Sequence, residues 1–102
     1  MCGIYGSTFR YKDEIIKRKL STMIFRGPDY QSYKRYRLPK EEELTLGHIR
    51  LSILDLDARS NQPFDYNEQI SIVFNGEIYN FEELKNTLLQ GVFLRTTSDT
   101  EV

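Results

Sequence analysis

Gln69-Ile70-Ser71-Ile72-Val73-Phe74-Asn75-Gly76-Glu77-Ile78-Tyr79-Asn80 runs from an apolar, β-branched segment through an Asn-Gly step toward a helix signal. The first six residues have the composition of a strand. Asn-Gly is a strong hairpin signal, and a hairpin is one reading of the step. The residues after Gly76, however, do not alternate as a second strand would. Asn80 stands three residues before Glu83, the spacing of a helix cap and its partner. Phe81, Leu84 and Leu88 then share one helical face, and Gly91 ends the segment. Strand, turn and helix in succession predict an α+β chain. In that setting the turn can present the Asn75 side-chain amide and the Gly76 N–H together, as an oxyanion hole requires. Spacing alone leaves both readings open.

Working outward, Leu44 to His48 alternates as a strand does, and Leu51, Ile53, Leu54 and Leu56 form another apolar run read as strand. Ile4 to Phe9 predicts a first strand close to the amino terminus. From Lys12 the period lengthens: Ile16, Leu20, Met23 and Ile24 fall on one helical face until Gly27-Pro28 stops the helix. Helices are therefore expected near residues 12–25 and 81–90, burying Ile16, Leu20, Met23, Leu84 and Leu88 against an antiparallel sheet. Tyr30 to Leu38 reads as extended and Val92 to Thr96 as a last short strand. Ser98 and Glu101 repeat the cap spacing, so a helix is expected to open at Asp99. A chain that stops there reads as cut, with sheet edges left open to self-association and a homo-oligomer as one outcome.

At 102 residues the chain holds one domain at most, and its 39% hydrophobic and 28% charged content suits a globular protein. A net charge of −1 supplies no field for nucleic acid. The basic cluster Lys34, Arg35 and Arg37 is answered at once by Glu41, Glu42 and Glu43, as in a solvated strand end and loop. No apolar run approaches the ~20 residues of a membrane helix, and no secretory core opens the chain. The expected partners thus include neither nucleic acid nor membrane, and the expected compartment is the cytoplasm.

Four features carry possible chemistry. Cys2, the only cysteine, follows Met1 directly. Loss of Met1 would give it a free α-amine, and a nucleophile paired with its own terminal amine is a known catalytic device. Cys2 can equally be an ordinary small residue. Arg50 is either a surface cation or a planar fork for a carboxylate. His48 alternates with Leu44 and Leu46, which favours packing over a role as base. Ser98 and Asp99 suit a helix start without any further function.

Taken together and in order, these segments resemble the glutaminase domain of glutamine-dependent asparagine synthetases. The matching pieces are Met1-Cys2-Gly3-Ile4, Arg26-Gly27-Pro28-Asp29, Gly47-His48-Ile49-Arg50-Leu51-Ser52-Ile53, Gln62-Pro63, Asn75 to Asn80 and Ser98 to Val102. The resemblance implies a class II glutamine amidotransferase with the αββα sandwich of N-terminal nucleophile hydrolases, present here as its N-terminal half across residues 1–102. It implies Cys2 as nucleophile, with Asn75 and Gly76 as oxyanion-hole donors. It implies that Arg50, Leu54, Glu77 and Asp99 bind glutamine: Arg50 its carboxylate, Asp99 its ammonium. No metal or other cofactor is implied in this segment; ATP and magnesium belong to a synthetase domain absent from it. Arg26 to Asp29 matches a loop near the pocket and receives no chemical step.

Overall fold

The computed structural model describes all of residues 1–102. Its central element is an antiparallel three-stranded sheet in which β3 (Glu43–Arg50) lies between β1 (Gly3–Ser7) and β2 (Tyr30–Arg37). The register pairs Gly3 with Ile49 on one side of β3 and Gln31 with Ile49 on the other. Cys2 therefore precedes β1 beside the carboxyl end of β3, where Arg50 and Leu51 leave the sheet. A separate two-stranded ribbon joins β4 (Phe64–Tyr66) to β5 (Ile70–Ile72). Its turn runs through positive φ at Asn67 and Glu68, and the Gln69 N–H donates to the Tyr66 carbonyl. The hairpin thus lies before the strand and not at Asn75-Gly76.

Helix α1 (Asp13–Ser21) covers one face of the three-stranded sheet. Asp13 and Glu14 sit in its first turn and Arg18 and Lys19 in its last, each sign matching the helix dipole. Its apolar stripe places Ile16 and Leu20 against Ile49, all three essentially inaccessible, with Tyr5, Tyr11, Met23 and Tyr33 packed around them. Burial of each aliphatic side chain contributes about 1.5–3 kcal/mol. Gly47 permits the approach, since a Cβ there would lie 2.8 Å from the Leu20 Cδ2. The helix continues through Thr22 and Met23 into a 3-10 turn, Ile24–Arg26, and ends before Gly27-Pro28 as expected.

Four expectations fail. Helix α2 (Phe81–Thr87) forms, but its apolar face is not buried: Leu84 is half-buried and Leu88 is 75% exposed. Asn80 makes no side-chain cap; only its carbonyl joins the helix, accepting from the Leu84 N–H. Val92 to Thr96 is not a strand, because the Glu101 carboxylate takes the Arg95 and Thr96 N–H groups at 2.8 and 2.7 Å in place of a neighbouring strand. The run Leu51 to Leu56 is likewise irregular, because its carbonyls turn toward a buried guanidinium. At the carboxyl end, Ser98 caps as expected, its hydroxyl accepting from the Thr100 N–H above a single 3-10 turn, Asp99–Glu101. No helix is long and apolar enough to cross a membrane.

Candidate active site

One cavity of about 270 Å³ is lined by all seven candidate residues: Cys2, Arg50, Leu54, Asn75, Gly76, Glu77 and Asp99. It lies at the end of β3, where the start of β1, the loop after β3 and the turn after β5 converge. Met1 also lines it.

Cys2 is half-buried and held at two points. The Leu51 N–H donates to its Sγ at 3.3 Å, with the thiol facing the Leu51 carbonyl at 3.7 Å. The Arg26 Nε–H donates to its carbonyl at 2.9 Å. The Arg26-to-Asp29 segment braces this corner further. The Asp29 N–H donates to the Arg50 carbonyl, and the Asp29 carboxylate accepts the Ser52 N–H at 2.7 Å. Gly27 lies flat on the same peptide: a Cβ there would fall 2.4 Å from the Arg50 carbonyl carbon.

Arg50 is buried and gathers the loop beyond β3. Nη1 donates to the Asp57 carbonyl at 3.0 Å and to Asn61 Oδ1 at 2.6 Å. Nη2 donates to the Leu54 carbonyl at 3.2 Å and to the Asp55 carbonyl. The carbonyls of Leu54, Asp55 and Asp57 thus point inward at a guanidinium instead of across a strand ladder. That is why the apolar run is not a strand, and why Ile53 and Leu56 stand largely exposed. All four Nη hydrogens are committed, leaving Nε–H free. The two-pronged carboxylate capture that the resemblance implies would therefore require carbonyl contacts to be exchanged for the ligand.

Asp55 ties this loop to the carboxyl end of the chain. Its side chain accepts the Thr97 N–H at 2.8 Å and the Asp57 N–H at 3.2 Å, with Arg59 Nη2 at 3.4 Å. The Thr97 N–H is the main reason its carboxyl group titrates well below the ordinary carboxylate range. Two residues beyond Thr97, the buried Asp99 accepts the Ile78 N–H on Oδ2 at 2.7 Å.

Asn75, Gly76 and Glu77 are exposed to the cavity side. The Asn75 amide and the Gly76 N–H have no hydrogen-bond partner within the chain, so both remain donors for a ligand. The residue before them is firmly held. His48 Nε2 lies 3.2 Å from the Phe74 carbonyl, which fixes that nitrogen as the protonated one and leaves a buried, unpartnered Nδ1. Burial lowers the His48 pKa; the Phe74 carbonyl opposes that shift and the Arg50 charge adds to it. His48 is packed, as its alternation suggested, but it also anchors the turn. Sequence reasoning assigned no chemical role to Gln62, Asp55 or the Arg26-to-Asp29 brace, although Gln62-Pro63 and Arg26 to Asp29 were among the pieces that carry the resemblance. A Gln-Pro and a Gly-Pro step were the only local signals at two of these places.

A model of the family described as glutamine amidotransferase domain matches residues 1–102. Asparagine synthetase [glutamine-hydrolyzing] 1 of Bacillus subtilis is 36% identical over 111 aligned residues, covering 100% of this chain and 17% of its own length. Asparagine synthetase [glutamine-hydrolyzing] 2 of the same organism is 43% identical, with 100% and 14% covered. The corresponding protein of Asparagus officinalis is 41% identical, with 100% and 17% covered. The chain thus spans less than a fifth of the length of each of these relatives. No solved structure matches it. A whole-length family match, and this level of identity to glutamine-hydrolysing asparagine synthetases, place the chain in the glutamine amidotransferase domain family.

Proposed function

We propose that the chain hydrolyses glutamine to glutamate and ammonia, with Cys2 as the nucleophile once Met1 has been removed. The observation that carries this reading is the convergence of a half-buried thiol with two uncommitted donors, Asn75 and Gly76, on one small cavity. The freed α-amine of Cys2 takes the thiol proton, and Sγ attacks the side-chain amide carbon of glutamine. The oxygen that gains charge is met by the Asn75 amide and the Gly76 N–H, a form of stabilisation worth about 10²–10³ in rate per donor. The amine then passes its proton to the departing ammonia, leaving a thioester that water hydrolyses. The α-carboxylate lies toward the Arg50 guanidinium. The α-ammonium lies toward Asp99, whose Oδ1 is not committed within the chain, and Leu54 and Glu77 line the remainder.

The relatives suggest the use of the ammonia: in a longer protein it would feed asparagine synthesis from aspartate, with ATP and magnesium bound outside this segment. The full domain would be the αββα sandwich, of which the sheet and α1 supply one side. The test is incubation of the chain lacking Met1 with glutamine, with glutamate and ammonia assayed beside Cys2→Ala. Equimolar release that disappears in Cys2→Ala is the expected result; release that persists in Cys2→Ala would refute the assignment.

A further inference from the structure

The Asn75-Gly76 turn makes no hydrogen bonds of its own, so its position is set by its flanks. On the upstream side both polar groups of Phe74 are taken by buried side chains. The Phe74 N–H donates to Gln62 Oε1 at 2.5 Å, and the Phe74 carbonyl faces His48 Nε2. The Phe74 ring then folds against Gly76, where a Cβ would fall 2.8 Å from it. On the downstream side, Ile78 is held by the Asp99 carboxylate.

Gln62 reaches both flanks. Because a backbone N–H can only donate, Oε1 must face Phe74, which turns Nε2 to the Thr100 hydroxyl at 3.3 Å. Thr100 belongs to the same 3-10 turn as Asp99. The backbone of Gln62 is fixed in turn by the Ser32 hydroxyl on β2, which donates to its carbonyl. The side chain is almost fully buried and lines the same cavity. One amide, anchored to the sheet, thus links the residue before the turn to the segment that holds the residue after it.

We infer that Gln62 is a positioning residue for the oxyanion donors: it sets where Asn75 and Gly76 stand relative to the Cys2 thiol without touching substrate. This rests on the proposed role of Asn75 and Gly76 in glutamine hydrolysis. Displacement of a catalytic group by about 1 Å can cost ~10² in rate. Such a loss falls on the chemical step, because the donors matter most where charge develops.

The test compares Gln62→Met and Gln62→Glu with wild type, all lacking Met1, in steady-state glutamine hydrolysis and in amide hydrogen exchange. Methionine matches glutamine in length and removes both hydrogen bonds, so kcat should fall by about 10–10²-fold with KM within about threefold. Glutamate retains an acceptor for the Phe74 N–H and can also accept from the Thr100 hydroxyl, and should bring kcat back to within about threefold of wild type. A merely structural role would not produce this split and rescue. In wild type the Phe74 N–H should exchange slowly while Asn75 and Gly76 exchange as open amides. In Gln62→Met the Phe74 protection should be lost. Unchanged kcat in Gln62→Met, a rise confined to KM, or a Phe74 amide as labile as its neighbours in wild type would each overturn the inference. If wild type proves unable to hydrolyse glutamine, the glutaminase function fails by itself, and the exchange pattern decides the Gln62 linkage alone.

Discussion

Replacing Arg50 with lysine separates two tasks that the guanidinium carries. The charge remains, but the geometry does not. Four acceptors surround the Nη atoms: the carbonyls of Leu54, Asp55 and Asp57 and the Asn61 side chain. A lysine ammonium has three donors on one nitrogen. At least one acceptor must lose its partner at a buried position, at a cost of about 1–3 kcal/mol for each group left unsatisfied. Against a total stability of about 5–15 kcal/mol for a domain, a loss near 2 kcal/mol is substantial. With a urea dependence of about 2 kcal/mol/M, the unfolding midpoint should drop by about 1 M. The loop from Leu51 to Asp57 should lose order at the same time, and because Leu54 lines the cavity, KM for glutamine should rise by about tenfold or more. Urea denaturation and steady-state glutaminase assays on the same preparations provide both readings. A midpoint unchanged within error would refute the carbonyl clamp; an unchanged KM would refute the link between that clamp and the glutamine pocket.

The same geometry sets other outcomes. A chain that retains Met1 should be inactive, because its Cys2 nitrogen is an amide and Met1 occupies the cavity wall; intact-mass measurement beside the glutaminase assay checks this. Asn75→Ala should lower kcat by about 10²–10³ with little change in unfolding midpoint, since the amide bonds to nothing in the fold. His48 is neutral in the fold with its pKa lowered, so the unfolded chain binds the extra proton first as pH falls. Its contribution to stability is complete above the ordinary histidine value of about 6.5 and is lost as pH falls toward the lowered folded value, with a slope of at most ~1.4 kcal/mol per pH unit. The unfolding midpoint should therefore be lower at pH 5.5 than at pH 7.5, and His48→Gln should flatten the difference. The carboxylates whose pKa values are lowered, Asp13, Asp55, Asp65 and Glu101, lose their contribution only in more acidic solution.

The parts of the fold legible in the sequence are those in which side-chain periodicity decides the outcome. Ile16 and Leu20 could be assigned to a buried face because α1 has a sheet to cover. Leu88 shows the limit of that reasoning: a period identifies which face is apolar, not whether any element lies against it. The run Leu51 to Leu56 failed for a different reason. Its apolar composition suits a strand, but one buried guanidinium recruits its carbonyls, and no local pattern records a partner of that kind. At the candidate site, motif and resemblance pointed to Cys2, Asn75, Gly76 and Asp99, and the structure brings these residues to one cavity. Neither assigned a role to Gln62 or Asp55, because the contacts these side chains make lie 12 and 42 residues away along the chain.

The anchorage of Cys2 also sets a schedule. In the folded chain Met1 is 74% exposed, yet the residue behind it is pinned by Arg26 at its carbonyl and by Leu51 at its sulfur. An aminopeptidase must draw both residues into its own active site, and the pinned terminus resists being drawn. During synthesis neither anchor exists at first, and the second appears only after residue 51 has been added. Removal of Met1 should therefore be faster on an unfolded or nascent chain than on the folded protein, where the fraying of two hydrogen bonds must precede it.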